Sequence, residues 1–301
     1  MPEIIDSWNP AEVNHFLPFG HHRRLALETR FACWKSELER VASDTIIGID
    51  DGHAKSLARF MEWESVFFGN HIWKLEAVHG DLQAASPSDH IEAVERRLLQ
   101  ENADYVYSFV PAEATDVLEV MGRRGWSLVE PRILFYRSIE PISDFPHYAV
   151  IKAGAEDVEP LSRVAIEAGN SFDRFSADPF FPGADVDRLM AKWVENSIVH
   201  SFADCVLRPE VSPDGFMMVR HHKQRYEFGI RDTQYVFAAI LPVLRGWLMR
   251  LISEGAHISK DEGAEGLCFT TQFTNRPLVR IGQKMGFYMT TSHMVMRKIL
   301  T

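Results

Sequence analysis

The sequence is poor in cysteine and contains no long apolar run. Its three cysteines, Cys33, Cys205 and Cys268, are odd in number and far apart among 301 residues. This spacing excludes a disulfide framework and a CxxC zinc site, and it is typical of a reduced, cytoplasmic chain. No run of about 18 consecutive apolar residues is present, so neither a transmembrane helix nor a membrane partner is expected.

Positive charge is also in deficit, because 32 Lys and Arg face 42 Asp and Glu and give a formal net charge of −10. A nucleic-acid-binding surface needs a broad basic face, so no nucleic-acid partner is expected. Thirteen histidines are present, but none has the HxxxH or HExxH spacing that places two metal ligands on one helix face. No metal site is predicted.

What the sequence does contain is enough apolar material for two lobes, since 46% of its 301 residues are hydrophobic. An order of strand, helix, glycine and strand occurs twice. It is found at 105–110, 113–123, Gly125 and 133–136, and again at 266–271, 276–284, Gly286 and 293–296. Gly286 follows Gly125 by 161 residues. Such a long internal period indicates a duplicated fold, with chance repetition of a common unit as the alternative.

We therefore predict an α/β (mixed α+β) chain of two lobes in tandem, each a twisted mixed sheet flanked by helices. The proline-bounded segment 140–146 is the predicted boundary, which gives lobes at 1–140 and 146–301. In the first lobe a helix is predicted to begin at Ser86-Pro87, because serine caps helices and proline suits their first position. No glycine is available there for close phosphate approach, so this lobe is expected to be degenerate and empty.

The second half of the sequence resembles the GNAT acyltransferase superfamily at four places. The most specific is Asn275, followed after a short predicted helix by a Gly-Phe pair at 286–287. The others are the opening strand and acidic turn at 149–161, the central strand at 235–242 and the loop at 244–248. The resemblance implies an N-acyltransferase that uses acetyl-CoA or another acyl-CoA and acts on the primary amine of a small metabolite.

The first half resembles a narrower group within that superfamily. The segment 62–69 (EWESVFFG) is similar to the beginning of the dTDP-fucosamine acetyltransferase-like subgroup, whose members carry a partial lobe ahead of a full one. Two segments of the second half, 173–179 and 193–197, are similar to the same subgroup. This resemblance implies an amino sugar or another small amine as acceptor. The alternative is that the aromatic residues of 62–69 are simply core.

The resemblance also implies where the substrates bind. Backbone groups at the end of the central strand would pair with the pantetheine arm, and N–H groups of the following loop and helix would hold the pyrophosphate. The cofactor-binding residues implied in this way are Ala239, Ile240, Leu241, Arg245, Gly246, Trp247, Leu248, Asn275 and Gly282. The acceptor side is assigned to Arg174, Phe175 and Asp178, for which a structural pair is the alternative.

Two residues are candidate general bases for the proton of the acceptor ammonium. Glu227 is predicted on a strand that follows His221-His222 and points toward the acceptor cleft, and His222 offers an imidazole nearby. The alternative for Glu227 is an ordinary surface glutamate on an edge strand. Cys268 could be a nucleophile, but a cysteine within an apolar strand is more often inert core.

Two positions depart from the family pattern. The family loop has the pattern Q/R-x-x-G-x-G/A, whereas here only Arg245-Gly246 is kept and bulky Trp247 and Leu248 follow. The family often has a tyrosine seven residues after the asparagine, where it protonates the leaving thiolate, and this position is Gly282. Three hypotheses remain: an acyl-CoA enzyme, a transferase with another donor such as a carrier-protein thioester, and an inactive binding module. A homodimer is compatible with the sequence but not required by it.

Overall fold

The computed structural model of the chain describes residues 3–22, 24–41, 45–82 and 89–300. The chain divides into two compact units. Unit 1 comprises Met1–Arg132 together with Thr291–Thr301, and unit 2 comprises Ile133–Thr290. Each unit contains a sheet flanked by helices, so the predicted mixed α/β class is confirmed. No helix among the described residues combines the length and the apolar character needed to cross a membrane.

The described residues of unit 1 form short strands and four α-helices. Its strands are β1 (Ile46–Asp50), β2 (Ala54–Phe60), β3 (Ile72–Gly80), β4 (Tyr105–Pro111) and the part of β11 (Tyr288–Ile299) that begins at Thr291. Its helices are α1 (Leu27–Glu39), α2 (Glu62–Phe68), α3 (His90–Gln100) and α4 (Thr115–Arg123). The strands lie in the order β1-β2-β3-β4-β11, and only β3 and β4 are parallel.

The core of unit 1 lies between this sheet and the helices α3 and α4. Ile91, Val94 and Leu98 of α3 recur at helical spacing and are fully buried in this core. The predicted helix start at Ser86-Pro87 lies outside the described residues. The described helix begins at His90, and the Asp89 carboxylate caps it by accepting from the backbone N–H of Glu92 at 2.9 Å.

Unit 2 contains the two longest α-helices among the described residues, of 17 and 15 residues. Its strands are the end of β5 (Ser127–Ser138) from Ile133 onward, β6 (Val150–Lys152), β7 (Cys205–Pro209), β8 (Gly215–Arg220), β9 (Asp232–Ile240) and β10 (Gly266–Gln272). Its helices are α5 (Val158–Glu167), α6 (Arg174–Ala177), α7 (Gly183–Val199), α8 (Trp247–Asp261) and α9 (Arg276–Lys284). The strand order is β5-β10-β9-β8-β7-β6, and β9 and β10 are parallel.

The compact units do not follow the predicted boundaries of 1–140 and 146–301. Seven residue pairs join β11 to β4 in antiparallel register, from His293↔Pro111 to Ile299↔Tyr105, and they tie residues 291–301 to unit 1. The end of β5 from Ile133 belongs in turn to unit 2. The compact units differ from the predicted lobes because strand pairing, which is not local in sequence, decides which unit a strand joins.

The proline-bounded segment 140–146 is also not a free linker. Phe145 is buried, and its carbonyl accepts from the His257 ring at 2.6 Å. The Pro146 carbonyl accepts from the Ser253 hydroxyl at 2.6 Å. The segment is therefore fastened along α8 and forms part of unit 2.

Candidate active site

The strands β9 and β10 are paired over only part of their length. Four residue pairs join them, from Asp232↔Gly266 to Tyr235↔Phe269. β9 then continues to Ile240 and β10 to Gln272, yet within the described chain no further residue pair joins the two strands. Their carboxyl halves therefore diverge, and the backbone N–H and C=O groups on the sides that face each other are available to a ligand.

A β-bulge lies on β9 at the point where this divergence begins. The register with β8 passes from Val219↔Tyr235 to Met218↔Phe237, so Val236 is the extra residue. A bulge increases the local twist of a strand and commonly occurs beside active sites. The bulge explains physically why β9 turns away from β10 after Tyr235.

The end of β9 carries the residues assigned to the pantetheine arm. Ala239 and Ile240 still pair with β8, at Phe216 and Gly215, on the side away from β10. Leu241 donates its backbone N–H to the Asp214 carbonyl at 2.9 Å. These three residues thus form one fixed edge of the opening between β9 and β10.

The loop that follows leads into an uncapped helix. Residues Pro242–Leu244 form a 3₁₀ turn, and Gly246 stands at the N-cap of α8 with φ +94°. No side chain caps this helix, and a Cβ placed on Gly246 would meet no atom within 4 Å. The first N–H groups of α8 therefore face open space, which is the arrangement that binds phosphate at helix N-termini.

The bulky residues after Gly246 do not fill this space. Leu248 packs against the core of unit 2. The guanidinium of Arg250 lies 4.6 Å from the centre of the Trp247 ring. Arg245 is exposed. Trp247 therefore stacks with a residue of its own helix, and Leu248 is directed to the core.

Helix α9 begins as its sequence predicts but is packed unexpectedly. The side-chain oxygen of Asn275 caps it by accepting from the backbone N–H of Leu278 at 3.4 Å. Gly282 is buried, and a Cβ there would lie 2.9 Å from the Phe269 ring and 3.4 Å from Phe135. A tyrosine at this position would have to displace these stacked rings. The absent acid therefore cannot be restored by a simple substitution.

The two candidate bases differ sharply in environment. Glu227 was predicted on a strand, which is wrong: it is an exposed residue of the 3₁₀ helix Lys223–Phe228. His222 is buried, and its Nε2 lies 2.8 Å from the side-chain oxygen of Gln234, a β9 residue paired with Cys268. Burial, reinforced by the charge of Arg225, lowers the pKa of His222 to about 4. His222 is therefore neutral at pH 7 and weakly basic.

The assigned acceptor residues lie in and beside the short helix α6. Arg174, Phe175 and Asp178 are all buried, and the Arg174 guanidinium lies 4.0 Å from the centre of the Phe175 ring. Phe175 contacts Trp193 edge-on at 5.7 Å, and Trp193 contacts Phe237 at 6.1 Å. Since Phe237 follows the bulge, this row of rings connects α6 to the half of β9 that is not paired with β10.

The sequence analysis missed a second contact at this end of the sheet. The Asn170 side chain donates to the side-chain oxygen of Gln272 at 2.5 Å, which joins the loop after α5 to the end of β10. Phe172 and Phe273 beside it are 50% and 61% exposed. The available signal was the position of these residues in loops that follow a helix and a parallel strand, where binding residues concentrate.

The Cys268 thiol lies in the paired part of β10. Burial raises the pKa of this thiol far above its usual value, with a smaller contribution from Asp232. A thiolate is the nucleophilic form of cysteine, so this environment favours the alternative of an inert core residue.

Solved structures with this arrangement of strands and helices were found, although no family model and no curated protein matches the sequence. A GCN5-related N-acetyltransferase from Sphaerobacter thermophilus has a TM-score of 0.55 and 12% identity, over 88% of this chain and 85% of that chain. A tandem GNAT protein from the clavulanic acid biosynthesis pathway has a TM-score of 0.53 and 8% identity, over 90% and 88%. A GCN5-related N-acetyltransferase from Kribbella flavida has a TM-score of 0.50 and 16% identity, over 90% and 95%. The chain therefore has the fold of the GNAT acetyltransferases, and this fold is also found in a tandem GNAT protein.

Proposed function

We propose that the chain is an N-acyltransferase that moves an acetyl or other acyl group from acyl-CoA to the primary amine of a small metabolite. The observation that carries this proposal is the divergence of β9 and β10 after Tyr235↔Phe269. Directly after β9 comes α8, whose N-cap position is Gly246 and whose first turn is not capped by any side chain. Together they offer unpaired backbone groups for a pantetheine arm and free N–H groups for a pyrophosphate.

In this proposal the chain supplies mainly binding and orientation. The acceptor nitrogen attacks the thioester carbonyl, a C–N bond forms, the C–S bond breaks and the thiolate leaves. An unperturbed thiol has a pKa of about 8.5, so its anion departs without much help from an acid. This chemistry tolerates the absence of a hydroxyl at Gly282. Positioning of the two reactants then supplies much of the rate.

The acceptor side is proposed at the row of rings between α6 and β9. Arg174 and Asp178 are buried polar residues at one end of the row, and Phe237 lies at the other end beside the bulge. Charged groups of this kind suit a small polar amine such as an amino sugar, which is the acceptor class that the sequence resemblance implies. The proton of the acceptor ammonium would pass to water or to a nearby base, for which Glu227 and His222 remain the proposed candidates.

A second candidate function is transfer from a carrier-protein thioester. The 3₁₀ turn before α8 uses two loop N–H groups internally, because Leu244 donates to Leu241 at 2.9 Å and Arg245 to Pro242 at 3.2 Å. Fewer loop donors then remain for a pyrophosphate, while the opening for a pantetheine arm is unchanged. A carrier protein presents the pantetheine arm without a free nucleotide, so such a donor would suit this loop.

Binding of acetyl-CoA to the intact chain tests the first proposal. A ligand present at about 100 times its Kd adds roughly 2.7 kcal/mol to the free energy of unfolding, so the melting temperature should rise measurably. Gly246→Val should reduce this rise strongly, since a β-branched residue is strained at φ +94°. Gly183→Val is the matched control, because Gly183 also begins a helix and also has open space around its Cβ position, but has no positive φ.

Two further measurements distinguish an acyl-CoA donor from a carrier-protein donor, and both of these from an inactive binding module. Release of free thiol from acetyl-CoA in the presence of amino sugars and amino-acid amines should require both substrates. If CoA and pantetheine bind with equal affinity, the nucleotide half makes no contact and the carrier donor is favoured. If no thioester, free or carrier-bound, is consumed with any amine while CoA still binds, the chain is a binding module.

A further inference from the structure

A separate pocket of about 740 Å³ lies within unit 2. Its walls come from the end of β5 and the segment that follows, from the turn after α9, and from Met249 in the first turn of α8. Pockets of about 300–1,000 Å³ accommodate small organic ligands. None of the described residues that line this pocket belongs to β9 or β10, so it is not the opening proposed for the acyl donor.

Two exposed tyrosine rings stand in this pocket. Tyr148 is 38% exposed and Tyr288 is 54% exposed. A neighbouring side chain holds each ring from a side other than the pocket. The Arg250 guanidinium lies 5.4 Å from the centre of the Tyr148 ring, and the Tyr136 ring packs edge-on against Tyr288 with 5.7 Å between ring centres. Fixed aromatic rings with accessible surface bind other planar rings at low entropic cost.

The wall opposite α9 is fixed before any ligand arrives. Arg137 donates to the Met285 carbonyl and to the Asp144 carboxylate, and its guanidinium lies 4.3 Å from the Phe145 ring. The carbonyls of Phe145 and Pro146 are in turn held by α8. The pocket is therefore an ordered feature of unit 2 that binding does not have to create.

The charges that line the pocket leave one cation without an opposite charge. Arg137 is paired with Asp144, and Glu140 is paired with Lys260 at 2.7 Å. Lys284 lines the pocket and is exposed, and no ion-pair partner for it exists among the residues that the structure describes. An uncompensated ammonium beside aromatic rings suits a ligand that carries an acidic group.

We propose that this pocket binds a small aromatic acid, with its planar ring against Tyr148 and Tyr288 and its carboxylate or phosphate on the Lys284 ammonium. Since Met249 belongs to the first turn of α8, the occupant touches the helix whose N-terminus is proposed to hold the donor. The inference stands on the pocket alone and does not depend on acyl transfer.

The test uses the full chain with ¹³C-methyl-labelled methionine, titrated with benzoate, phenyl phosphate and the neutral isostere benzamide. The signals of Met249 and Met285, assigned by Met249→Leu and Met285→Leu, should shift because an aromatic ring enters beside them. Lys284→Gln should weaken the binding of benzoate about fivefold, the size of an exposed ion pair, and leave that of benzamide unchanged. Lys223→Gln, which removes an exposed lysine outside the pocket, is the matched control.

Three outcomes would overturn the proposal. The first is no shift of either methyl signal at about 10 mM of each acid, well above millimolar affinity. The second is equal binding of benzamide and benzoate, which would remove the role of Lys284. The third is competition between benzoate and acetyl-CoA, which would make the pocket part of the donor site. Thiol release from acetyl-CoA with amines is measured without any aromatic acid, so none of these outcomes decides the proposed function.

Discussion

Gly282 shows how a single residue can be constrained by packing at a position where a catalytic group is expected. A Cβ at this position would lie 2.9 Å from the Phe269 ring. Gly282→Ala should therefore lower the free energy of unfolding by about 1–3 kcal/mol, the usual cost of overpacking. Gly122→Ala in α4 is the control, because nothing lies within 4 Å of its Cβ and alanine favours helix. Urea unfolding of both variants checks this, and equal stabilities would refute the packing argument.

His222 makes a prediction for the pH dependence of stability. Its pKa is about 4 in the folded chain, below the unfolded value of about 6.5, so the unfolded state binds the proton first. Stability should then fall as the pH is lowered from 6.5 toward 4. Between pH 7 and pH 5 this one residue accounts for about 2 kcal/mol.

The matching experiment compares the wild type with His222→Asn, since asparagine tolerates the left-handed backbone at φ +47°. The loss of unfolding free energy between pH 7 and pH 5 should be smaller by about 2 kcal/mol in the variant. His200→Asn, at an exposed position, should leave the loss unchanged. An equally steep loss in the His222 variant would show that other groups cause it.

At the scale of the element, helix α3 is fixed to its sheet by a buried polar network. The His90 Nδ1 lies 2.7 Å from the Asp51 carboxylate and the Nε2 lies 2.8 Å from the Ser56 hydroxyl. Burial raises the pKa of Asp51, but hydrogen bonds from the backbone of Ala54 and His53 and from His90 outweigh it and leave the pKa below its usual value. The order Asp, His, Ser is that of a hydrolase triad, yet Ser56 and His90 are 0% exposed, so the network is structural.

Ser56→Ala should destabilise unit 1, because it leaves a buried nitrogen of His90 without its hydrogen-bond donor. The expected cost is about 1–3 kcal/mol. Ser127→Ala, at the exposed start of β5, should change stability by less than about 0.5 kcal/mol. Thermal unfolding of the two variants measures the difference. A neutral Ser56 variant would mean that water or a shifted ring replaces the hydroxyl.

The elements themselves were largely predictable from local sequence, but their local detail was not. The Asn275 cap, the helix after it and the buried stripe Ile91, Val94 and Leu98 follow from capping and from helical periodicity. The position of Glu227 could not be predicted from local sequence, because a 3₁₀ helix of six residues is too short to show a recognisable periodicity. The bulge at Val236 was also missed, since it depends on the register with β8.

At the scale of the whole molecule, the pairing of β11 with β4 predicts that a fragment of residues 1–140 will not fold alone. Without β11 the fragment loses Val295 and Met296 from its interior and exposes the edge of β4, which favours aggregation. Joining residues 288–301 to residue 132 through a flexible linker should restore a cooperative thermal transition. A fragment 1–140 that unfolds cooperatively by itself would contradict this prediction.

The internal repeat predicted two lobes of one fold class, and the structure has two units of that class. The bounds of the compact units could not be predicted, because the local pattern of the strand at 293–299 does not indicate which strand it pairs with. The choice of β4 as its neighbour depends on side-chain contacts more than 150 residues away in sequence. A continuous motif, as at 239–248, can be recognised from the sequence and stays a prediction for the site. A contact between two distant segments, as between Asn170 and Gln272, cannot be recognised in this way.

The place of β11 in unit 1 also has a consequence for the synthesis of this protein on the ribosome. The body of unit 1 ends at Arg132, but the part of β11 that belongs to unit 1 and covers the edge of β4 begins only at Thr291. At about 5–20 residues per second, roughly 8–32 s of translation separate the two. During that interval the nascent chain carries an uncovered strand edge, which is the feature that chaperones shield and that neighbouring nascent chains can join. Codon choice or ribosomal pausing between residues 133 and 290 would therefore determine the time between synthesis of the body of unit 1 and synthesis of its last strand.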